Sequence, residues 1–234
     1  DYEIPATEVG NIEVPALVVS TWSNQGLHSR GGFEGYKRLN TEKYLYTHGR
    51  HEWTTSNSDE AKEYERAFFD FYLKGDEAAK NKLVPVRLEV DKGGGEYYAR
   101  EESTWPLADT QYKNFYLDVY NNDLATEPLP INTMTQYSSV NPNDELTFRH
   151  TFDKDTEIVG YSKLKLWVST THGNDMDVFV AIRKLDENGN VKPFMNALKM
   201  RKVATRGWLR VSLRKLDEEL ASDIQPVLAL DEYQ

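Results

Sequence analysis

Two short polar segments carry the residues best suited to chemistry. One is Trp22-Ser23-Asn24-Gln25-Gly26-Leu27-His28-Ser29-Arg30-Gly31, and the other is Thr47-His48-Gly49-Arg50-His51-Glu52-Trp53. Histidine takes up and returns a proton near neutral pH, and a polar group beside it can fix its tautomer. The same spacing also fits solvated loops with incidental polar residues. No string supplies an activated serine. A nucleophile elbow has the form G-x-S-x-G on a strand-to-helix turn, where small neighbours let the hydroxyl project. Gly160-Tyr161-Ser162 comes nearest, but Lys163-Leu164 follow it and the region has a strand pattern.

The segments before each loop explain why the loops matter. Val14 to Trp22 (VPALVVSTW) is a near-continuous apolar run, which predicts a strand buried on both faces, as in a parallel sheet. Gly31 to Leu39 predicts a short helix with Phe33 and Tyr36 on one face, and Lys43 to Thr47 a second strand. Asn57, with Glu60 as capping-box partner, predicts the start of a longer helix carrying Tyr64, Phe68, Phe71 and Tyr72. Lys74-Gly75 ends it. Strand, helix, strand, helix is an α/β pattern, and open α/β sheets gather functional groups past the carboxyl ends of their strands.

After Gly75 the period changes to two. Val86, Leu88 and Val90 alternate with Arg87 and Glu89; Phe115, Leu117 and Val119 alternate with Tyr116 and Asp118. Leu146 to Phe152, Leu164 to Val168, Met176 to Ile182 and Leu209 to Leu213 repeat the alternation. Asp186-Glu187-Asn188-Gly189-Asn190 predicts a hairpin turn, because Asn-Gly accepts positive φ cheaply. Many short alternating strands predict an antiparallel sandwich, with Leu166 buried between its sheets. The expected boundary lies near Trp105-Pro106, giving regions 1–105 and 106–234.

Composition excludes several classes. The chain has 234 residues, 39% hydrophobic and 12% aromatic, enough for a real core. A formal net charge of −10 argues against nucleic acid or an anionic membrane as the main partner. No apolar run approaches the roughly 20 residues needed to span a bilayer. Cysteine is absent, which excludes disulfides, thiolate nucleophiles and Cys-based zinc sites, and fits a cytoplasmic protein. No metal site is expected: the acidic turn residues Asp175, Asp177, Asp186 and Glu187 lack EF-hand spacing. No cofactor is expected either. His150, between Phe148 and Phe152, has the pattern of a hydrogen-bonded core histidine, and His172 that of an exposed turn residue.

Three longer stretches carry a family resemblance. Ile12 to Tyr36 (IEVPALVVSTWSNQGLHSRGGFEGY) resembles the segment of CocE/NonD serine hydrolases that supplies the triad acid. Lys43 to Gly75, with KYLYTHGRHEW and EYERAFFDFYLKG, resembles their catalytic-histidine strand and the following helix. Leu146 to Asp217, with LTFRHTFDKDTEIVGYSKLKLWVST, DMDVFVAIRKLD and ATRGWLRVSLRKLD, resembles the C-terminal jelly roll that they share with X-prolyl dipeptidyl peptidases. The resemblance implies α/β plus all-β architecture: the end of an α/β-hydrolase sheet followed by an incomplete jelly-roll β-sandwich.

It also implies chemistry. An esterase, acylase or X-prolyl dipeptidyl peptidase-like enzyme would cleave a small ester, amide or peptide through an acyl-enzyme. The nucleophilic serine would lie before Asp1, in a missing N-terminal hydrolase segment. The family's acid, an Asp two residues after a Trp, is here Asn24 after Trp22. Its histidine ends a G-P-W-x-H string, and the matching position in Gly49-Arg50-His51-Glu52-Trp53 is Trp53. His51, two residues away, or His48 at the strand end would serve instead. His28, Trp22 and Trp53 would line the substrate site. A catalytically degraded binding or structural protein is the alternative, and a homo-oligomer stays open.

Overall fold

The computed structural model describes residues 6–141, 143–196, 198 and 200–229. After a single turn, α1 (Ala6–Val9), the chain runs β1 (Ala16–Thr21), α2 (Ser29–Arg38), β2 (Lys43–His48), α3 (Glu52–Ser56), α4 (Asp59–Lys74) and α5 (Glu77–Lys80). It continues into β3 (Val86–Gly93) and β4 (Glu96–Glu102). These strands form one four-stranded sheet in the order β1-β2-β3-β4. β1, β2 and β3 are parallel, and β4 returns antiparallel to β3.

The core follows from the apolar pattern. Leu45, Val86 and Leu88 are fully enclosed in the sheet. Tyr46 meets Tyr64 of α4 edge-on, with Ala61 beside them and Leu17, Leu83 and Val84 packed against the cluster. α4 starts at Ser58, whose hydroxyl accepts from the Ala61 N–H, and not at Asn57, which instead closes α3. Gly75 ends α4 at φ 73°, in the left-handed region that glycine enters without a Cβ penalty.

Two compact units are present: 1–108 with 162–234, and 109–161. In the second, β5 (Tyr116–Asp118) pairs antiparallel with β6 (Asp123–Ala125). His150 packs against Phe115 and Phe152 with its Nδ1 3.1 Å from the Leu124 carbonyl; it is hydrogen-bonded as its pattern predicts, but half-buried beside exposed rings and not in a core.

In the first unit, β7 (Asp177–Ile182) pairs with β12 (Thr205–Arg210), β8 (Lys184–Leu185) with β9 (Val191–Lys192), and β10 (Phe194–Met195) with β11 (Arg201–Lys202). The turn between β8 and β9 has Gly189 at φ 80° and closes with Asp186 N–H donating to the Asn190 carbonyl. The chain after β4 is thus β-rich with small antiparallel sheets, consistent with a β-sandwich C-terminal domain.

Three strand expectations are corrected. Leu164 to Val168 pairs with nothing in a ladder, and Leu166 is 40% exposed, not buried. Leu146 to Phe152 contributes a single bridge at Arg149, and Val211 to Leu213 forms a 3-10 turn. An alternating sequence becomes a strand only where a second strand satisfies its backbone groups along its length, and among the described residues none of these stretches has a partner strand beyond the one bridge at Arg149.

Candidate functional site

β1 and β2 run in the same direction, so their loops leave from the same edge. The register sets Thr21 opposite His48, and the Trp22 N–H donates to the His48 carbonyl at 2.8 Å. The two polar loops therefore lie side by side, as the sequence predicts. Asn24 reaches the second loop directly: its Nδ2 donates to Glu52 Oε2 at 3.1 Å. The Asn24 carbonyl also accepts from the backbone N–H groups of Leu27, His28 and Ser29, which pins the first loop at the start of α2.

The two histidines differ sharply. His48 is 2% exposed, its Nδ1 has no hydrogen-bond partner, and burial pushes its pKa below the ordinary 6.5 against the opposing pull of Glu89. His51 is half-buried and caps α3. Its Nδ1 accepts from the Thr54 N–H at 3.1 Å and lies 2.8 Å from the Thr54 hydroxyl. An Nδ1 that accepts carries no proton, so the neutral ring holds its proton on Nε2. The contact expected between Asn24 and an imidazole is replaced by the Asn24–Glu52 bond.

The three candidate lining residues part company. Trp22 turns inward, stacks on Phe33 at 4.4 Å, touches Trp105 and donates its indole N–H to the Glu89 carbonyl. Trp53 is 62% exposed and meets the His51 ring edge-on at 5.7 Å. His28 is exposed at the start of α2 and makes no side-chain capping bond.

Beneath the second loop lies a buried charge that the alternation hid. Glu89 falls on the polar face of the β3 pattern, yet it is fully buried because β3 lies between β2 and β4. Its carboxylate accepts from the Gly49 N–H at 2.8 Å and from Arg50 Nε and Nη2, the latter at 2.7 Å. Arg87 lies 3.8 Å away and also pairs with Glu60 of α4, and the Arg50 guanidinium sits over the Tyr97 ring. A Cβ at position 49 would stand 2.9 Å from Asp91 Oδ2 and 3.0 Å from Asp91 Cβ, so a larger residue there would have to displace the Asp91 side chain. A strand charge with a basic residue at the neighbouring strand end was the available signal.

The antiparallel region braces the first loop. Lys202 Nζ donates to the Trp22 carbonyl at 2.9 Å, and Gln25 Nε2 donates to the Ala204 carbonyl at 2.8 Å. Burial lowers the Lys202 pKa to about 8, partly opposed by Asp91, whose own pKa burial raises. Among the described residues no cluster of three or more metal-binding side chains occurs, and no helix is long and apolar enough to cross a membrane.

Residues 78–230 match the family model of the X-Pro dipeptidyl-peptidase C-terminal non-catalytic domain. Two crystal structures of a CocE/NonD family hydrolase from Staphylococcus aureus superpose on the chain with TM-scores of 0.93 and 0.92, each at 38% identity. They cover 97% and 96% of this chain. The chain belongs to the X-Pro dipeptidyl-peptidase C-terminal domain family. It spans 41% of the length of those solved relatives. No curated protein matches it. The two candidate loops precede residue 78 and so lie outside the stretch matched to the non-catalytic domain.

Proposed function

We propose that this chain is the C-terminal portion of a cytoplasmic serine hydrolase that cleaves a small ester, amide or peptide through an acyl-enzyme. In this reading residues 1–105 complete an α/β-hydrolase domain, residues 106–234 form the jelly-roll portion, and sequence before Asp1 supplies the nucleophilic serine. The observation that supports it best is the placement of two polar loops together at the carboxyl edge of parallel strands, tied by Trp22 to His48 and by Asn24 to Glu52. His51 is the general base. It is the accessible imidazole of the pair, whereas His48 is enclosed with a depressed pKa. Base duty toward a serine through Nε2 requires the proton on Nδ1, so His51 must release Thr54 and change tautomer when substrate binds.

A second reading is a degraded site, favoured by that Thr54 bond and by the amide of Asn24 at the acid position. His51→Ala and His48→Ala in the serine-containing hydrolase separate the two. Loss of turnover at unchanged thermal stability in His51→Ala identifies the base. Retained turnover in both variants excludes the pair.

A further inference from the structure

We infer that Glu52 and Asn24 together replace the single triad acid, with Glu52 supplying the charge and Asn24 the acceptor oxygen. The inference rests on the hydrolase reading of these loops. An amide at the acid position can orient an imidazole but cannot offset the positive charge that forms when the base takes the serine proton. The structure places a carboxylate on that amide. Glu52 Oε2 accepts from Asn24 Nδ2 at 3.1 Å, and Glu52 follows His51 directly in the chain.

The geometry fixes the amide's orientation. An ionised carboxylate only accepts hydrogen bonds, so the Asn24 NH2 must face Glu52 and its Oδ1 must face away. A carboxylate at the NH2 end polarises the amide and strengthens its oxygen as an acceptor. Once His51 has released Thr54 and carries its proton on Nδ1, the chain of groups would be Glu52 carboxylate, Asn24 amide, His51 Nδ1–H. Glu52 touches neither substrate nor nucleophile in this arrangement, so it is a positioning residue.

The test uses the serine-containing hydrolase in four forms: wild type, Glu52→Gln, Asn24→Asp and the double variant. Wild-type turnover of a nitrophenyl ester is the entry condition, and its absence overturns the hydrolase reading and this inference with it. Given turnover, Glu52→Gln should lower kcat at least tenfold, toward the roughly 10⁴-fold loss seen when a triad acid becomes an amide. KM should hardly change, and the acidic limb of the pH–rate profile should move to lower pH. Asn24→Asp should restore kcat in the Glu52→Gln background, which a merely structural role for Glu52 would not allow. Glu52→Gln with wild-type kcat and an unmoved profile overturns the composite acid while leaving the hydrolase reading standing. A loss that Asn24→Asp does not rescue, in a variant that melts like wild type, overturns it as well.

Discussion

Glu89 is the residue on which the His51 loop stands. Its carboxylate holds the Gly49 amide and the Arg50 fork in the interior of the sheet. Removing one partner of a buried ion pair strands the other charge and costs about 3–5 kcal/mol. Glu89→Ala should fall toward the lower end of that range, because the Arg50 side chain keeps 26% of its surface exposed. Chemical denaturation measures the loss, and a change under about 1 kcal/mol would show that the carboxylate does not anchor the loop. His48 sets a pH dependence. The unfolded ring takes up a proton near 6.5, and the buried ring takes it up only at lower pH. The unfolded chain therefore binds more protons in that window, and this contribution to stability is lost as pH falls below 6.5. Replacing His48 with Gln should flatten the stability profile below pH 6.5, measured by melting at a series of pH values. An unchanged slope would contradict the enclosure of His48.

At the scale of elements, local signals and pairing signals fared differently. β1, α2, β2 and α4 were legible because an apolar run, a helical stripe and a terminal Gly75 are properties of the segment itself; burial of β1 on both faces was not, since β1 is the edge strand and Val19 is 41% exposed. The loops of Asn24 and His51 were legible for the same reason: parallel strands end on one edge. Leu164 to Val168 was not, because alternation describes a strand's faces and says nothing about its neighbours. The burial of Glu89 was not legible for a related reason, since it depends on the position of β3 between β2 and β4 and not on periodicity. Glu52 carried no signal in spacing; only its bond to Asn24 gives it a role. The contrast predicts two stabilities. Leu45→Ala, in a fully enclosed site of β2, should cost about 2–5 kcal/mol. Leu166→Ala, at a site 40% exposed, should cost about 1 kcal/mol or less. Equal losses in denaturant titrations would show that Leu166 belongs to a packed sheet after all.

At the scale of the molecule, the chain spans two fifths of its solved relatives and holds no nucleophile elbow, yet brings together the loop of Asn24 and the loop of His48 and His51. The central claim is a division of labour: base and orienting groups here, serine elsewhere. Fluorophosphonate labelling with peptide mapping tests it most directly. The 234-residue chain alone should take up no label, and the longer hydrolase should be labelled stoichiometrically at one serine before Asp1. Stoichiometric labelling of any serine within these 234 residues, or none in the longer protein, would contradict the account.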